Sequence, residues 1–480
     1  MGQAARIRPH GARVGRCAGF SVHCAAVSIF KAYDIRGLYG EELTAEAGRR
    51  IGRAVAGWMK ARELAVGRDA RPSSPELSAA VIDGIRDGGV AVVDLGLVST
   101  PMLYFAVEAL GLSGGLMVTA SHNPARYNGI KVCREHAIPV GGDTGLQEIA
   151  QLARESAPPQ TPRGAWRHED VRAGYVQHAR SVGGRCPRLR VAIDCGNGMA
   201  SVGLEPLLAE LPLETERLYF EPDGTFPNHE ADPLKRENLN DVIEAVRRTG
   251  ADFGVAFDGD ADRAMFVDER GEPIGADLMT GLLARAVLRR HGGGRVLFDL
   301  RSSRATAEAI AEAGGTPEMC RVGHAFIKAQ MRESGAVFAG ELSGHFYFRF
   351  SPTLVHDDGI AAFAALLDVL AEEDKPLSEW IAPLRRYCPS GEINRRVADV
   401  PGLLRALEAD HAGRAEIVKL DGLLVRYPDW WFNVRASNTE PVVRLNLEAA
   451  DAAATAVRRD AILARIEEFA PAEGETAPGH

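Results

Sequence analysis

The chain has 480 residues, 46% of them hydrophobic and 25% charged, and a formal net charge of −9. A single core is not expected at that length, and three or four domains of an ordinary globular protein are. The acidic balance speaks against nucleic acid and polybasic membrane contacts, and no apolar run approaches the about 20 residues that span a bilayer, so a soluble cytoplasmic protein is expected.

Seven cysteines, Cys17, Cys24, Cys133, Cys186, Cys195, Cys320 and Cys388, show no CxxC spacing and are odd in number. They are expected to be reduced and mostly buried, without a role in the mechanism. Residues 1–27 carry Arg6, Arg8, Arg13 and Arg16 and no acid. That charge suits a transit or secretory signal, but the stretch lacks a continuous apolar segment, so a dispensable disordered extension is expected.

Fold-like sequence begins near Ser28 and reaches Phe30-Lys-Ala-Tyr33-Asp34-Ile-Arg36-Gly37, a loop in which a guanidinium can meet an anion. An ordinary Arg36–Asp34 surface pair is the plain alternative. A helix from Thr44 to Lys60 follows, with Ile51, Val55 and Trp58 on its apolar face. Then come a strand at 64–67, a helix opened by Arg68-Asp-Ala-Arg71-Pro-Ser73-Ser74, a strand at 88–96 and a helix capped at Ser99. This β-α-β-α-β alternation predicts an α/β sheet whose functional loops lie at strand C-terminal ends, Arg36, Arg68 and Ser121 among them.

The apolar strand Gly115 to Val118 runs into Thr119-Ala-Ser121-His122-Asn123-Pro124. Ser121 is therefore expected on an exposed loop, placed to act as a nucleophile or phosphate carrier. A simple Ser/Asn turn is the competing reading. Asn128-Gly129 signals a hairpin that would return Lys131 beside Ser121, and the proline-rich segment from Glu155 to Trp166 reads as a linker.

A second α/β unit starts at Leu189, where Asp194-Cys-Gly196-Asn-Gly198 lacks the third glycine and the acid of a dinucleotide site. No redox cofactor is implied. In Asp258-Gly-Asp260-Ala-Asp262-Arg263 three carboxylates follow an apolar strand at alternate positions, an arrangement that calls for a counter-charge. Hard oxygen ligands suit Mg²⁺ or Ca²⁺. An EF-hand is rejected despite Glu269 at the twelfth position, because Arg263 stands where glycine is needed and the flanks read as strands. Arg263 could hold the phosphoryl group that completes the metal shell.

A third unit contains Asp299-Leu-Arg301-Ser-Ser-Arg304, a helix beginning near His324, and a strand ending at Glu341-Leu-Ser343-Gly-His345. Glu341 and Ser343 flank Leu342, so strand alternation would point both toward one sugar, with His345 as an acid/base candidate. A structural turn is the competing reading. After Tyr387 the style changes, with a helix from Val400 to His411, a strand at 423–426, and Arg435 followed by Ser437, Asn438 and Thr439 as an anion-binding loop. Residues 474–480 read as a frayed tail.

A serine, a carboxylate trio, a hydroxyl-recognising loop and a phosphate-binding loop, each on its own unit, describe phosphoryl chemistry on a small polyhydroxylated anion. Lys31-Ala-Tyr-Asp-Ile-Arg-Gly37, Thr119-Ala-Ser-His-Asn-Pro124, Asp258-Gly-Asp-Ala-Asp-Arg263, Gly340-Glu-Leu-Ser-Gly-His345 and Arg435-Ala-Ser-Asn-Thr-Glu-Pro441 occur in this order over nearly the whole chain. In these motifs the chain resembles the α-D-phosphohexomutase superfamily, in its bacterial phosphomannomutase/phosphoglucomutase branch.

The resemblance implies three similar mixed α/β domains around a central cleft and a smaller α+β C-terminal domain. The expected division is 28–165, 166–271, 272–382 and 383–480. It implies reversible transfer of phosphate between O6 and O1 of mannose or glucose through a phosphoserine at Ser121 and a bisphosphorylated sugar, with a hexose 1,6-bisphosphate as activator. Asp258, Asp260, Asp262 and a Ser121 phosphate oxygen would hold one Mg²⁺. Arg263 would steady the phosphoryl group, and Lys131, Arg36 and His345 would manage the hydroxyl proton. Glu341 and Ser343 would hold sugar hydroxyls. Tyr33, His122, Arg301 and His324 would join them at the substrate, and Arg435, Ser437, Asn438 and Thr439 would grip the phosphate that is not reacting. Arg301 departs from the branch's usual lysine, and a guanidinium fork is not an ammonium. Small sugar phosphates are the expected partners, of a monomer or weak dimer. The competing functions are phosphoglucosamine mutase, which the Glu341 loop disfavours, metal-dependent phosphatase and a non-catalytic sugar-phosphate-binding protein.

Overall fold

The computed structural model describes residues 29–155, 158–436 and 442–470, which form four sheets. The expected extension at 1–27 and the tail at 474–480 lie outside the described residues.

The first sheet contains β1 (Ile35–Leu38), β2 (Glu63–Arg68), β3 (Ala91–Leu97), β4 (Gly114–Val118), β5 (Tyr127–Arg134) and β6 (Trp166–His168), in the order β1-β5-β4-β2-β3-β6. Its strands β2, β3, β4 and β6 run parallel, and β5 and β1 close one side antiparallel. The first helix, Ala45–Met59, starts where the Thr44 side chain accepts the amide of Ala47 and ends at Lys60 in the left-handed region, φ 48°. Ser99 caps the helix Thr100–Ala109 by accepting from the Met102 amide. Strand β4 is buried along its whole length, which explains its unbroken apolar sequence.

The second sheet is built from β7 (Leu189–Asp194), β8 (Leu213–Leu218), β9 (Phe253–Phe257), β10 (Ala264–Asp268) and β11 (Pro273–Ile274), in the order β11-β10-β9-β7-β8. The third has β12 (Gly294–Asp299), β13 (Gly315–Cys320), β14 (Phe338–Gly340), β15 (Phe346–Arg349) and β16 (Val355–Asp357), in the order β13-β12-β14-β15-β16. The fourth is antiparallel throughout: β17 (Cys388–Pro389), β18 (Ile393–Arg396), β19 (Glu416–Val418), β20 (Leu423–Arg426), β21 (Trp430–Ala436) and β22 (Val442–Ala449). It runs β17-β22-β21-β20-β19, with β18 also on β22, and carries the helices Val400–His411 and Ala452–Glu467. Three mixed α/β units and a smaller α+β unit are thus present.

The core is divided, as the length suggests, with separate apolar clusters around Ile51 and Leu64 in the first unit, Val242 in the second and Leu297 in the third, but one further cluster is shared. One continuous apolar cluster runs from Leu103 and Met117 in the first unit through Val191 and Phe253 in the second to Phe338 and Ile360 in the third. The helix Gly359–Leu370 makes this continuity possible, because every one of its residues is buried. The fourth unit has its own core around Leu403, Phe432 and Leu445 and meets the third through the small cluster of Leu300, Leu424 and Trp431.

Local readings need correction too. Arg36 lies within β1, not on a strand-to-helix loop, because β1 is an antiparallel edge strand. Asn128 and Gly129 lie inside β5, so the turn back from β4 is made by the residues between 118 and 127. The presumed linker is pinned to the first unit, with Gln160 N donating to Asp87 O and Gly164 N to Arg86 O. Strand β6 then extends the first sheet past residue 165. Among the described residues Cys133, Cys186, Cys195, Cys320 and Cys388 are free, and no helix is long and apolar enough to cross a membrane.

Candidate active site

Ser121 follows β4 in the left-handed region, φ 49°, with its amide donating to Thr119 Oγ1 at 3.0 Å. Contrary to the expected exposed loop, it is only 2% exposed, because the loop after β9 closes over it. A Cβ on Gly259 of that loop would stand 2.4 Å from Ser121 O, so only glycine admits the approach. The Ser121 hydroxyl donates to Asp258 Oδ2 at 2.8 Å and lies 3.2 Å from His122 Nδ1. Burial pushes the His122 pKa down to about 2, so its ring is neutral.

Asp258, Asp260 and Asp262 are buried and present carboxylate oxygens within 4.8 Å of one another. Lys131, paired with Met117 across β4 and β5, places Nζ 2.6 Å from both Asp260 Oδ2 and Asp262 Oδ2. Burial disfavours its charge, but the two aspartates outweigh burial and hold its pKa well above the ordinary lysine value. Burial raises the Asp258 pKa, with Asp262 and Asp260 adding repulsion, while Lys131 keeps Asp262 ionised against its burial. The Thr100 hydroxyl also donates to Asp260 Oδ2, at 2.6 Å. Asp260 Oδ1 is buried without a hydrogen-bond partner and Asp262 Oδ1 meets only the edges of the His345 and Arg263 side chains, a costly arrangement that a small divalent cation would relieve. Glu269, the rejected EF-hand position, accepts the Ser378 amide at 3.0 Å instead.

Arg263 Nε lies 3.7 Å from Asp258 Oδ2 and 3.3 Å from His345 Nε2. Burial would lower the His345 pKa, but Asp262, 3.3 Å from Nε2, and Glu341, 3.3 Å from Nδ1, lift it to about 9 against the repulsion of Arg263. Glu341 and Ser343 do converge, though not by strand alternation. They occupy a turn closed by Gly344 N to Glu341 O and Glu341 N to His345 O, each 3.0 Å, which brings Ser343 Oγ 2.9 Å from His345 Nδ1. Tyr347 OH fixes Glu341 by donating to Oε2 at 3.0 Å.

Arg36 donates to Asn123 Oδ1 at 2.7 Å and to Asp34 Oδ2 at 2.5 Å, so the plain surface pair also reaches the serine loop. The Tyr33 and His324 rings meet edge-on at 5.4 Å, and burial, with Lys328 and Lys131 adding, holds the His324 pKa down to about 3. Arg301 pairs with Asp299 at 2.8 Å and stands 3.6 Å from both Glu341 and Glu392. Glu392 also faces Arg435 at 3.4 Å and Arg444 at 3.1 Å. Ser437, Asn438 and Thr439 lie outside the described residues.

Polar contacts thus run without a break from Ser121 through Asp258, Arg263, His345, Glu341 and Arg301 to Glu392 and Arg435. Sequence reasoning missed Glu392 and the role of Thr100 at Asp260. It also missed the buried pair of Lys328 and Asp357, 2.7 Å apart, whose carboxylate clusters with Asp262 and His345. Only Thr100 carried a local signal, as part of a helix cap.

Residues 27–159, 173–271 and 276–387 match the phosphoglucomutase/phosphomannomutase alpha/beta/alpha domains I, II and III, and residues 392–465 match the C-terminal domain of the same family. A phosphomannomutase of Salmonella montevideo is 41% identical over 436 residues, covering 88% of this chain and 95% of that protein. A phosphomannomutase/phosphoglucomutase of Pseudomonas aeruginosa is 40% identical over 431 residues, covering 88% and 92%. The crystal structure of a phosphoglucomutase/phosphomannomutase family protein from Burkholderia thailandensis superposes with a TM-score of 0.85 at 37% identity, covering 93% of this chain and 98% of that one. With all four domains in order and a contiguous polar site across them, the chain belongs to the phosphoglucomutase/phosphomannomutase family of phosphohexomutase enzymes.

Proposed function

We propose that the protein interconverts hexose 6-phosphate and hexose 1-phosphate, with mannose or glucose as the sugar, through a phosphoserine at Ser121. The observation that carries this reading is the buried Ser121 hydroxyl, 2.8 Å from Asp258 at one end of a continuous polar path that reaches Arg435. A hydrolase needs a nucleophile and a metal. It does not need a second anion site on another domain.

Asp258, Asp260 and Asp262, with an oxygen of the Ser121 phosphate, would hold one Mg²⁺, which when bound supplies charge stabilisation to the transferring phosphoryl group. The sugar hydroxyl attacks the phosphorus on Ser121 and the P–Oγ bond breaks. Arg263, between Asp258 and His345, is placed to follow the moving charge. Lys131, Arg36 and His345 are the groups to manage the sugar hydroxyl's proton and its charge, Lys131 and His345 being held protonated against burial by the aspartates beside them. Neutral His122 and His324 flank the sugar together with Tyr33, and Glu341 with Ser343 receives its hydroxyls. Arg301 and Arg435 already face the carboxylate of Glu392, and with Ser437, Asn438 and Thr439 they would grip the distal phosphate. The bisphosphorylated sugar then turns over and returns its other phosphate to Ser121, and free hexose 1,6-bisphosphate restores enzyme that has lost its phosphate. The four units, with β6 assigned to the first, each take one of these tasks.

The test is a coupled assay with Mg²⁺ and a trace of glucose 1,6-bisphosphate on mannose 1-phosphate, glucose 1-phosphate and glucosamine 1-phosphate. Inorganic phosphate is followed in the same samples. Conversion of the first two without phosphate release is the expected result; release without isomerisation overturns the reading.

A further inference from the structure

Arg71 precedes the helix Ser74–Asp87 and lies outside the five motifs that carry the family resemblance. It is 1% exposed, and its guanidinium lies beneath the serine loop. Nη2 donates to Ser121 O at 2.8 Å and Asn123 O at 2.6 Å, and Nη1 donates to Pro124 O at 2.8 Å and Tyr127 O at 3.2 Å. Nε donates to Asp69 Oδ2 at 3.1 Å. An arginine side chain has five N–H donors in a rigid fork, and these five contacts use all of them.

The anchor is itself fixed. Asp69 Oδ1 accepts the Ser74 hydroxyl at 2.5 Å and the Arg71 amide at 3.0 Å. From the second unit, Phe226 stacks its ring 5.0 Å from the guanidinium carbon, and a Cβ on Gly224 would stand 2.2 Å from Arg71 Cα. Burial works against the Arg71 charge and Asp69 supports it. A buried cation is retained when its donors are all met and it has a partner.

Ser121 adopts a left-handed backbone that costs free energy in a residue with a Cβ, and such strain persists only where the surroundings over-determine it. Four carbonyls drawn onto one guanidinium do this. We propose that Arg71 is a positioning residue for phosphoryl transfer: by gathering the carbonyls of residues 121 to 127, it fixes Ser121 Oγ at the carboxylate trio. The inference rests on the phosphoserine reading above. Lysine cannot replace it, having three donors and no fork.

The experiment is a single-turnover phosphorylation of dephosphorylated enzyme by glucose 1,6-bisphosphate, followed by ³¹P NMR or intact mass. The sugar O–P bond breaks, the Ser121 Oγ–P bond forms, and the seryl proton ends on the sugar oxygen. R71K and R71M are compared with wild type well below their melting temperatures, and KM for glucose 1-phosphate is measured alongside. R71K is expected to slow phosphorylation about 100-fold with KM changed less than about threefold, the scale of an ångström's misplacement. R71K decides the matter if R71M does not fold, since it keeps a cation of similar length. A rate within twofold of wild type, or a loss confined to KM or to melting temperature, overturns the inference. S121A is run in parallel. Phosphorylation or isomerisation by S121A overturns the phosphoserine reading itself, whereas an inert S121A beside a fast R71K overturns only the role of Arg71.

Discussion

Ser121, Lys131 and Asp260 come from two units, and their short contacts make separate demands on chemistry. Ser121→Ala removes the proposed phosphate carrier, and turnover in the coupled assay is expected to fall roughly 10³-fold or more. Lys131→Met leaves Asp260 and Asp262 without their ammonium, and on the proposed mechanism kcat is expected to fall about 10²- to 10⁴-fold. Mg²⁺ should raise the melting temperature of the wild type by binding the folded state only. Asp260→Asn should remove most of that shift in calorimetry, and an unchanged shift would place the cation elsewhere. The motif residues were legible because each loop carries its own chemistry. Thr100 was legible only as part of a helix cap, because its partner Asp260 lies 160 residues away.

At the level of elements, caps and glycines carry the arguments. Thr44→Ala removes the acceptor for the Ala47 amide, and urea unfolding should show a loss of about 1 kcal/mol with activity retained. Gly259→Ala is different in kind. Its Cβ would press on Ser121 O, so a comparable stability loss of about 1–3 kcal/mol should come with a much larger loss of turnover. The helix Val400–His411 and the strand Leu423–Arg426 appear at the bounds their sequences suggest, since caps and apolar spacing are local. The Glu341 turn was misread as alternation because a short polar run after a strand fits both geometries. What decides between them is the pairing of Glu341 with His345, which forms only once β14 and β15 are adjacent.

One apolar cluster is shared by three units, each of which also has a cluster of its own, and the fourth unit is attached by a narrower contact. Arg304 supplies much of that contact, reaching the carbonyls of Tyr427, Pro428 and Trp430 across the boundary. A cavity of about 820 Å³ lined by Leu300, Ser303, Leu424 and Trp431 lies beside it. Arg304→Ala should therefore loosen the placement of Arg435 and change kcat and KM together, KM rising roughly three- to tenfold in the coupled assay. Between the second and third units His178 Nε2 meets His356 Nε2 at 3.0 Å beneath Phe350, and burial lowers the His178 pKa from 6.5 to about 4. The native state resists a proton that the unfolded chain accepts. Stability present above pH 6.5 is thus expected to decline as pH falls toward about 4, and His178→Gln should flatten that decline in urea titrations at pH 7, 5 and 4.

The sequence by itself determined the class of fold and the chemistry of each loop, because apolar periodicity, caps and clustered carboxylates act over a few residues. The tertiary structure alone decided that Ser121 is buried, that Arg71 holds its loop, and that Glu392 joins Arg301 to Arg435. Each of these depends on distant segments meeting, and the free energy that brings them together is non-directional burial into a shared core, which leaves no mark at any one position.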